Sequence, residues 1–171
     1  MRNADRITLS LSFVALSVAA CSDDALVAPR SIAPNDISWS SSVARPWKGV
    51  CDVDAVFTSQ TTLLITGTCQ LAHLGRTTVI AYQTIEPGQS GIAYTNTATY
   101  TAANGDELYT TNIGVASPTT SGLSLSGTET AVGGTGRFTN ASGTAHVEGA
   151  VAFTGPSSTT GSYELSGTLQ Y

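Results

Sequence analysis

Positive charge is scarce in this chain. Seven of its 171 residues are Lys or Arg, and from Gly49 onward only Arg76 and Arg137 stand against eight acids, a net charge of −6. A nucleic-acid backbone demands clustered Lys and Arg, so nucleic acid is excluded as a partner. Histidine is rarer still. His73 sits beside a Leu-Gly bend and His146 in an alternating run; neither has a nucleophile or a second ligand at a recognisable spacing, which argues against a hydrolase triad or a zinc site. Phosphate loops, dinucleotide fingerprints and cofactor-attachment motifs are all missing, so no cofactor and no metal is expected and no residue can be named as catalytic. The N-terminal apolar run, Ile7 to Ala20, is too short to span a bilayer.

What remains is apolar and glycine-rich. A composition 41% hydrophobic and 11% charged, with 17 Gly, suits a single β-rich domain better than a helical or disordered chain.

The first 48 residues read as an address and a tether. Arg2 and Arg6 precede the apolar run, which closes on Val18-Ala19-Ala20-Cys21. This is the pattern of a bacterial lipoprotein signal. Residues 1–20 are then the signal peptide, and Cys21 is expected to be diacylated on sulfur and to become the mature N-terminus. The protein would be held in the bacterial cell envelope by lipid, with the membrane as a partner through that anchor. Ser22 at the next position favours the outer membrane by the sorting rule of such signals. Residues 21–48, rich in Ser, Asp, Ala and Pro, predict a flexible tether with a reach of roughly 30 Å. Trp39 and Trp47 are unusual there; either they dock at a membrane interface or partner, or Trp47 covers an open end of the folded domain.

From residue 49 to 171 the chain breaks into eight alternating runs separated by turn signals, which predicts an all-β domain, a closed barrel or a sandwich. Strands are expected at about 50–58, 61–72, 76–85, 91–102, 106–116 and 122–132, with two more after the glycine-rich stretch that follows. If the first hairpin turns at Gln60, Phe57 opposes Leu63, Ala55 opposes Ile65, Val53 opposes Gly67 and Cys51 opposes Cys69, all on one face. That register brings together the two cysteines outside the signal and predicts a disulfide between them, at antiparallel Cα spacing. Asn104-Gly105 is a strong hairpin signal, because a type I′ turn needs two residues tolerant of positive φ. A two-residue turn there opposes Tyr100 to Tyr109, Ala98 to Thr111, Asn96 to Ile113 and Tyr94 to Val115. The bulky inner face would then carry Tyr94, Asn96, Tyr100 and Tyr109. Glycines at 67, 127, 149 and 167 fall in mid-strand, where a small coiled barrel has use for them.

Between the sixth and seventh strands lies Gly133-Gly134-Thr135-Gly136-Arg137-Phe138-Thr139-Asn140-Ala141-Ser142-Gly143. Its glycines permit a tight corner, and Phe138, its one large apolar side chain, is placed to plug an end of the β-structure. The string Gly-Gly-Thr-Gly-Arg-Phe, followed by Ala141 and Gly143, resembles the corner signature of the dirigent and allene oxide cyclase-like barrels. That resemblance implies an eight-stranded antiparallel up-and-down barrel with an apolar cavity; it carries no catalytic residue across to this sequence.

Glu129 is the most informative polar residue, since it shares a face with Leu123 and Leu125. Aimed into an apolar barrel it would be desolvated, which suits a general acid or a ligand anchor. The alternative is that the sixth strand bulges or ends early and leaves Glu129 in water or paired with Arg137. Asp52 and Asp54 point outward and show too few ligands for calcium. These features point to a barrel that binds an apolar or aromatic small molecule or serves a structural role in the envelope. The rivals are a cyclase or isomerase acting in the cavity and a filled barrel used only for protein contacts. A cavity of several hundred Å³ would favour the first or the enzyme; a filled core would favour protein contacts.

Overall fold

Two alternating strands joined by a short turn bury one face between them, and the first hairpin follows this rule from end to end. In a computed structural model describing residues 43–89 and 91–171, β1 (Ala44–Phe57) pairs antiparallel with β2 (Thr62–Leu71). Cys51 opposes Cys69, Val53 opposes Gly67, Ala55 opposes Ile65 and Phe57 opposes Leu63, the register expected from the sequence. Cys51 and Cys69 form a disulfide on the inner face. Six further strands follow: β3 (Gly75–Gly88), β4 (Gly91–Ala102), β5 (Glu107–Pro118), β6 (Leu123–Gly134), β7 (Ser142–Gly155) and β8 (Ser158–Gln170). Neighbours in sequence are neighbours in the sheet, and β8 returns to pair with β1, closing an eight-stranded antiparallel barrel. Closure removes the unpaired edges that an open sheet of this length would expose. Cys21 and Trp39 lie outside the described residues.

β1 starts at Ala44, inside the stretch expected to be tether, so residues 44–48 belong to the barrel. Pro46 hides this strand in the sequence. Residues 44–48 of β1 pair with β8, whereas β2 reaches back only to Gly49; on that free edge the missing N–H of Pro46 breaks no ladder bond. The extension places Trp47, fully buried, against Gly167 of β8.

β5 departs from the expected register by one residue. Ala102 donates its N–H to the carbonyl of Asp106 (2.9 Å) and Gly105 donates to the carbonyl of Ala102 (2.9 Å), with Gly105 at φ 86°. The hairpin loop therefore has three residues, Ala103-Asn104-Gly105, with glycine in the left-handed position that ends such a loop. Tyr100 opposes Leu108, Ala98 opposes Thr110, Asn96 opposes Asn112 and Tyr94 opposes Gly114. A slip of one residue inverts a strand's faces. Tyr109, Ile113 and Val115 are thus outside and exposed, and Leu108, Thr110 and Asn112 are inside and buried.

The barrel's ends differ. At one end Trp47, Leu74, Leu108, Phe138 and Leu169 are buried together and fill the interior. Phe138 sits on a single 3₁₀ turn (Gly136–Phe138) and meets the Tyr171 ring edge-on at 4.8 Å. The corner backbone is tied down at both sides: Thr135 donates to the Glu107 carbonyl (2.8 Å) and Ala141 to the Phe138 carbonyl (2.9 Å). Gly133 and Gly136 hold φ of 121° and 53°, whereas at Gly134 the constraint is space, because a Cβ there would land on the Glu107 carbonyl oxygen. Arg137 lies over the Phe138 ring, its guanidinium carbon 4.7 Å from the centroid, and pairs with Asp106 at 3.7 Å. Its partner is this surface carboxylate and not Glu129.

Truncating Phe138 to Ala should therefore cost about 3 to 5 kcal/mol, and Gly134→Val a comparable amount through the clash with Glu107. Arg137→Ala, whose ion pair is partly in water, should cost about 1 kcal/mol or less. Thermal melts of the three variants check this order; a Phe138→Ala protein as stable as wild type would show that the corner does not seal the barrel.

Candidate ligand-binding cavity

Toward the opposite end, where the hairpins β1–β2, β3–β4, β5–β6 and β7–β8 turn, the inner residues do not meet across the barrel. They enclose a cavity of about 120 Å³. Its walls are small or branched apolar side chains, among them Val53, Ala55, Ile65, Ala81, Ala98 and Leu125. At the mouth, Phe57, Ile85, Ile92, Leu123 and Val151 are only partly buried, and Phe153 is 57% exposed although it lines the cavity. The opening is therefore an apolar rim. The space is smaller than the several hundred Å³ expected of a roomy ligand barrel, and close to the roughly 150 Å³ of an engineered apolar cavity that takes up benzene.

Glu129 forms part of this cavity's lining. It is 2% exposed, carried inward by the alternation of β6 with Leu123, Leu125 and Gly127. β6 does bulge, opposite Tyr109 and Thr110, which leaves Val132 exposed. The irregularity falls beyond Glu129, so the carboxyl stays inside. Three side chains donate to it: the Thr110 hydroxyl in a short bond to Oε1, the Asn112 amide to Oε2 (2.6 Å) and the Tyr100 hydroxyl to Oε1 (3.4 Å). Among the described residues no Lys, Arg or His lines the cavity to balance it. Burial raises the Glu129 pKa above the ordinary carboxylate range, and the bonds from Thr110, Asn112 and Tyr100 offset part of that rise.

The tyrosines extend the polar part. Tyr100, 1% exposed, shares a 2.9 Å hydrogen bond with the hydroxyl of Tyr163, so Tyr163, Tyr100 and Glu129 form a continuous hydrogen-bonded chain. Burial, reinforced by the nearby Glu129 charge, pushes the pKa of Tyr94 up to about 12 and that of Tyr163 higher. Tyr94 lies across Gly114 of β5 and Gly127 of β6; a Cβ at Gly114 would collide with its ring, and one at Gly127 would come 2.7 Å from its hydroxyl. Two mid-strand glycines facing each other across β5 and β6 thus make room for one aromatic wall.

Of the residues singled out from sequence, Glu129, Tyr94, Asn96 and Tyr100 lie together around the cavity. Tyr109 does not. It is 37% exposed on the outer face, its hydroxyl donating to Glu107 (2.8 Å). In its place the register brings in Thr110 and Asn112, two of the three donors to Glu129; neither is named from the sequence, where the signal available is the Ala103-Asn104-Gly105 stretch, which supports a three-residue loop as well as a two-residue one. Asp52 and Asp54 are on the outside, and among the described residues no group of three His, Cys, Asp or Glu side chains is placed to hold a metal. Comparison of the chain with protein-family models, with curated proteins and with solved structures gives no match.

Proposed function

We propose that this protein is a lipid-anchored barrel of the cell envelope that holds an apolar small molecule, about one ring in size, in its open end. The observation that carries the reading is the asymmetry of the interior: one end is filled by Trp47, Phe138 and Leu169, while the other keeps an apolar-rimmed cavity of about 120 Å³ with polar groups on one side. A concave, mostly apolar site with a few convergent polar side chains is the usual form of a ligand pocket. The corner's likeness to the dirigent and allene oxide cyclase-like barrels supports the same assignment, with membership of that family as part of the proposal.

One observation favours an enzyme as the second reading. The Tyr163–Tyr100–Glu129 chain ends on a buried carboxyl whose proton is held more tightly than usual, as a general acid for a cyclisation or isomerisation requires. Recovery of a co-purified ligand unchanged after incubation favours holding; a rearranged product favours catalysis.

Benzene added to isotopically labelled protein should shift backbone amide resonances around the cavity, in the half of the barrel that holds Ala55, Ile65, Ala81, Ala98 and Leu125, and leave those around Phe138 in place. Ala98→Phe, which fills the cavity from its wall, should abolish the shifts. Shifts spread evenly over the barrel, or unchanged in the filled variant, would contradict a ligand site here. Cys21→Ser should leave the protein soluble after a carbonate wash while the wild type stays with the membrane; equal retention of both would remove the anchor from the proposal.

A further inference from the structure

Four adjacent strands set a polar row across the inside of the barrel. Gln83 on β3 opposes Asn96 on β4, Asn96 opposes Asn112 on β5, and Asn112 opposes Glu129 on β6. Side chains directly opposed on one face have Cβ atoms about 5 Å apart, so the row is continuous. Its hydrogen bonds, however, run outward from the middle. The Asn96 amide donates to Gln83 Oε1 (3.5 Å) and the Asn112 amide donates to Glu129 Oε2 (2.6 Å). The Asn112 bond sets its orientation, since the reverse would turn a carbonyl toward the carboxylate. Both carbonyl oxygens, Asn96 Oδ1 and Asn112 Oδ1, are left buried with no donor. Asn112 itself is 4% exposed, and a buried acceptor without a partner costs about 1 to 3 kcal/mol.

This row, whose residues line one side of the cavity, therefore carries two orphaned carbonyls and, one strand further on, a carboxylate. It has no cationic side chain. Tyr94, Tyr100 and Tyr163 line the cavity around it. We propose that the cavity selects a primary ammonium ion carrying a small apolar body, an arylalkylamine or a short branched alkylamine. This rests on the reading of the cavity as a ligand site and narrows it to a chemical class.

The match is one of donor number, charge and size. An ammonium group has three N–H donors for the two orphaned carbonyls and the Glu129 carboxylate, and one positive charge for the one buried negative charge that lacks a counter-ion. Aromatic faces add attraction for a desolvated cation. An alcohol has a single donor and leaves at least one carbonyl unpaired. A carboxylate ligand would bring negative charge and acceptors to a wall already made of both. The apolar body fits the remaining walls, where a ring occupies a volume close to that of the cavity and any excess reaches the apolar rim.

Calorimetric titration of the purified full chain with benzylamine, benzyl alcohol, toluene and benzoate at neutral pH tests the assignment, because the four share one ring and differ in the polar end. Benzylamine should bind about tenfold or more tightly than benzyl alcohol or toluene, the scale of a hydrogen bond to a charged group, and benzoate should not bind. Glu129→Gln should weaken benzylamine by about tenfold or more and leave toluene within about twofold, so toluene binding reports an intact cavity in the variant. If that variant does not fold, the order of the four ligands on the wild type decides. Toluene or benzyl alcohol binding the wild type as tightly as benzylamine, or benzylamine unaffected by Glu129→Gln, overturns the ammonium assignment and leaves the cavity as an apolar site. No binding by any of the four overturns the cavity reading as well.

Discussion

A strand in a closed barrel has only two faces, and one residue of register decides which side chains spend their lives inside. In this protein the decision that matters most is made by Ala103-Asn104-Gly105. Because the loop has three residues, with Gly105 at φ 86°, β5 turns Leu108, Thr110 and Asn112 inward and Tyr109, Ile113 and Val115 outward. A two-residue turn would have put three bulky side chains into the cavity and left Glu129 facing none of its β5 donors. The buried carboxyl, the unpaired Asn112 carbonyl and the free space all follow from that loop.

The same alternation makes the ends unequal. At the Phe138 end β1, β2, β5 and β8 contribute the large inward residues Trp47, Leu71, Leu108 and Leu169, and the β6–β7 corner folds one more ring over the top. At the other end many inward positions are small, as at Ala55, Ala81, Ala98, Gly114 and Gly127, and the phenol end of Tyr94 reaches over the last two. The stability of the barrel is thus concentrated in the sealed half, together with the Cys51–Cys69 disulfide beside it. This division frees the open half to carry features that cost stability. A desolvated carboxyl without a counter-charge and orphaned amide carbonyls are tolerable only where the rest of the fold over-determines the structure. A ligand that supplies donors and a positive charge would turn those costs into affinity.

Much of this is legible in the sequence. The alternation of β6, β7 and β8, the register of the first hairpin and the plug at Phe138 are local patterns, and local patterns survive folding. Two features were not legible, for different reasons. Pro46 argues against a strand unless one knows that β1 outruns β2 there, which is a property of the sheet and not of the segment. Asn104-Gly105 supports turns of two lengths, and only tertiary packing chooses between them. Here the choice favours burying Leu108, Thr110 and Asn112 over Tyr109, Ile113 and Val115, because a carboxyl at position 129 needs donors on the neighbouring strand. Placing Glu129 inside was therefore within reach of the sequence; naming its partners was not.

Everything depends on Glu129 being inside the barrel, held by Thr110, Asn112 and Tyr100 with no cation beside it among the described residues. The carbon-13 resonance of its side-chain carboxyl, followed as a function of pH in protein labelled at glutamate and assigned by comparison with Glu129→Gln, measures this directly. The account predicts a midpoint above about 4.3, the ordinary glutamate value, because burial outweighs the three hydrogen bonds. A midpoint at or below that value would place the carboxyl in water or beside a cation, and would contradict the inward register of β5 and β6 from which the cavity is built.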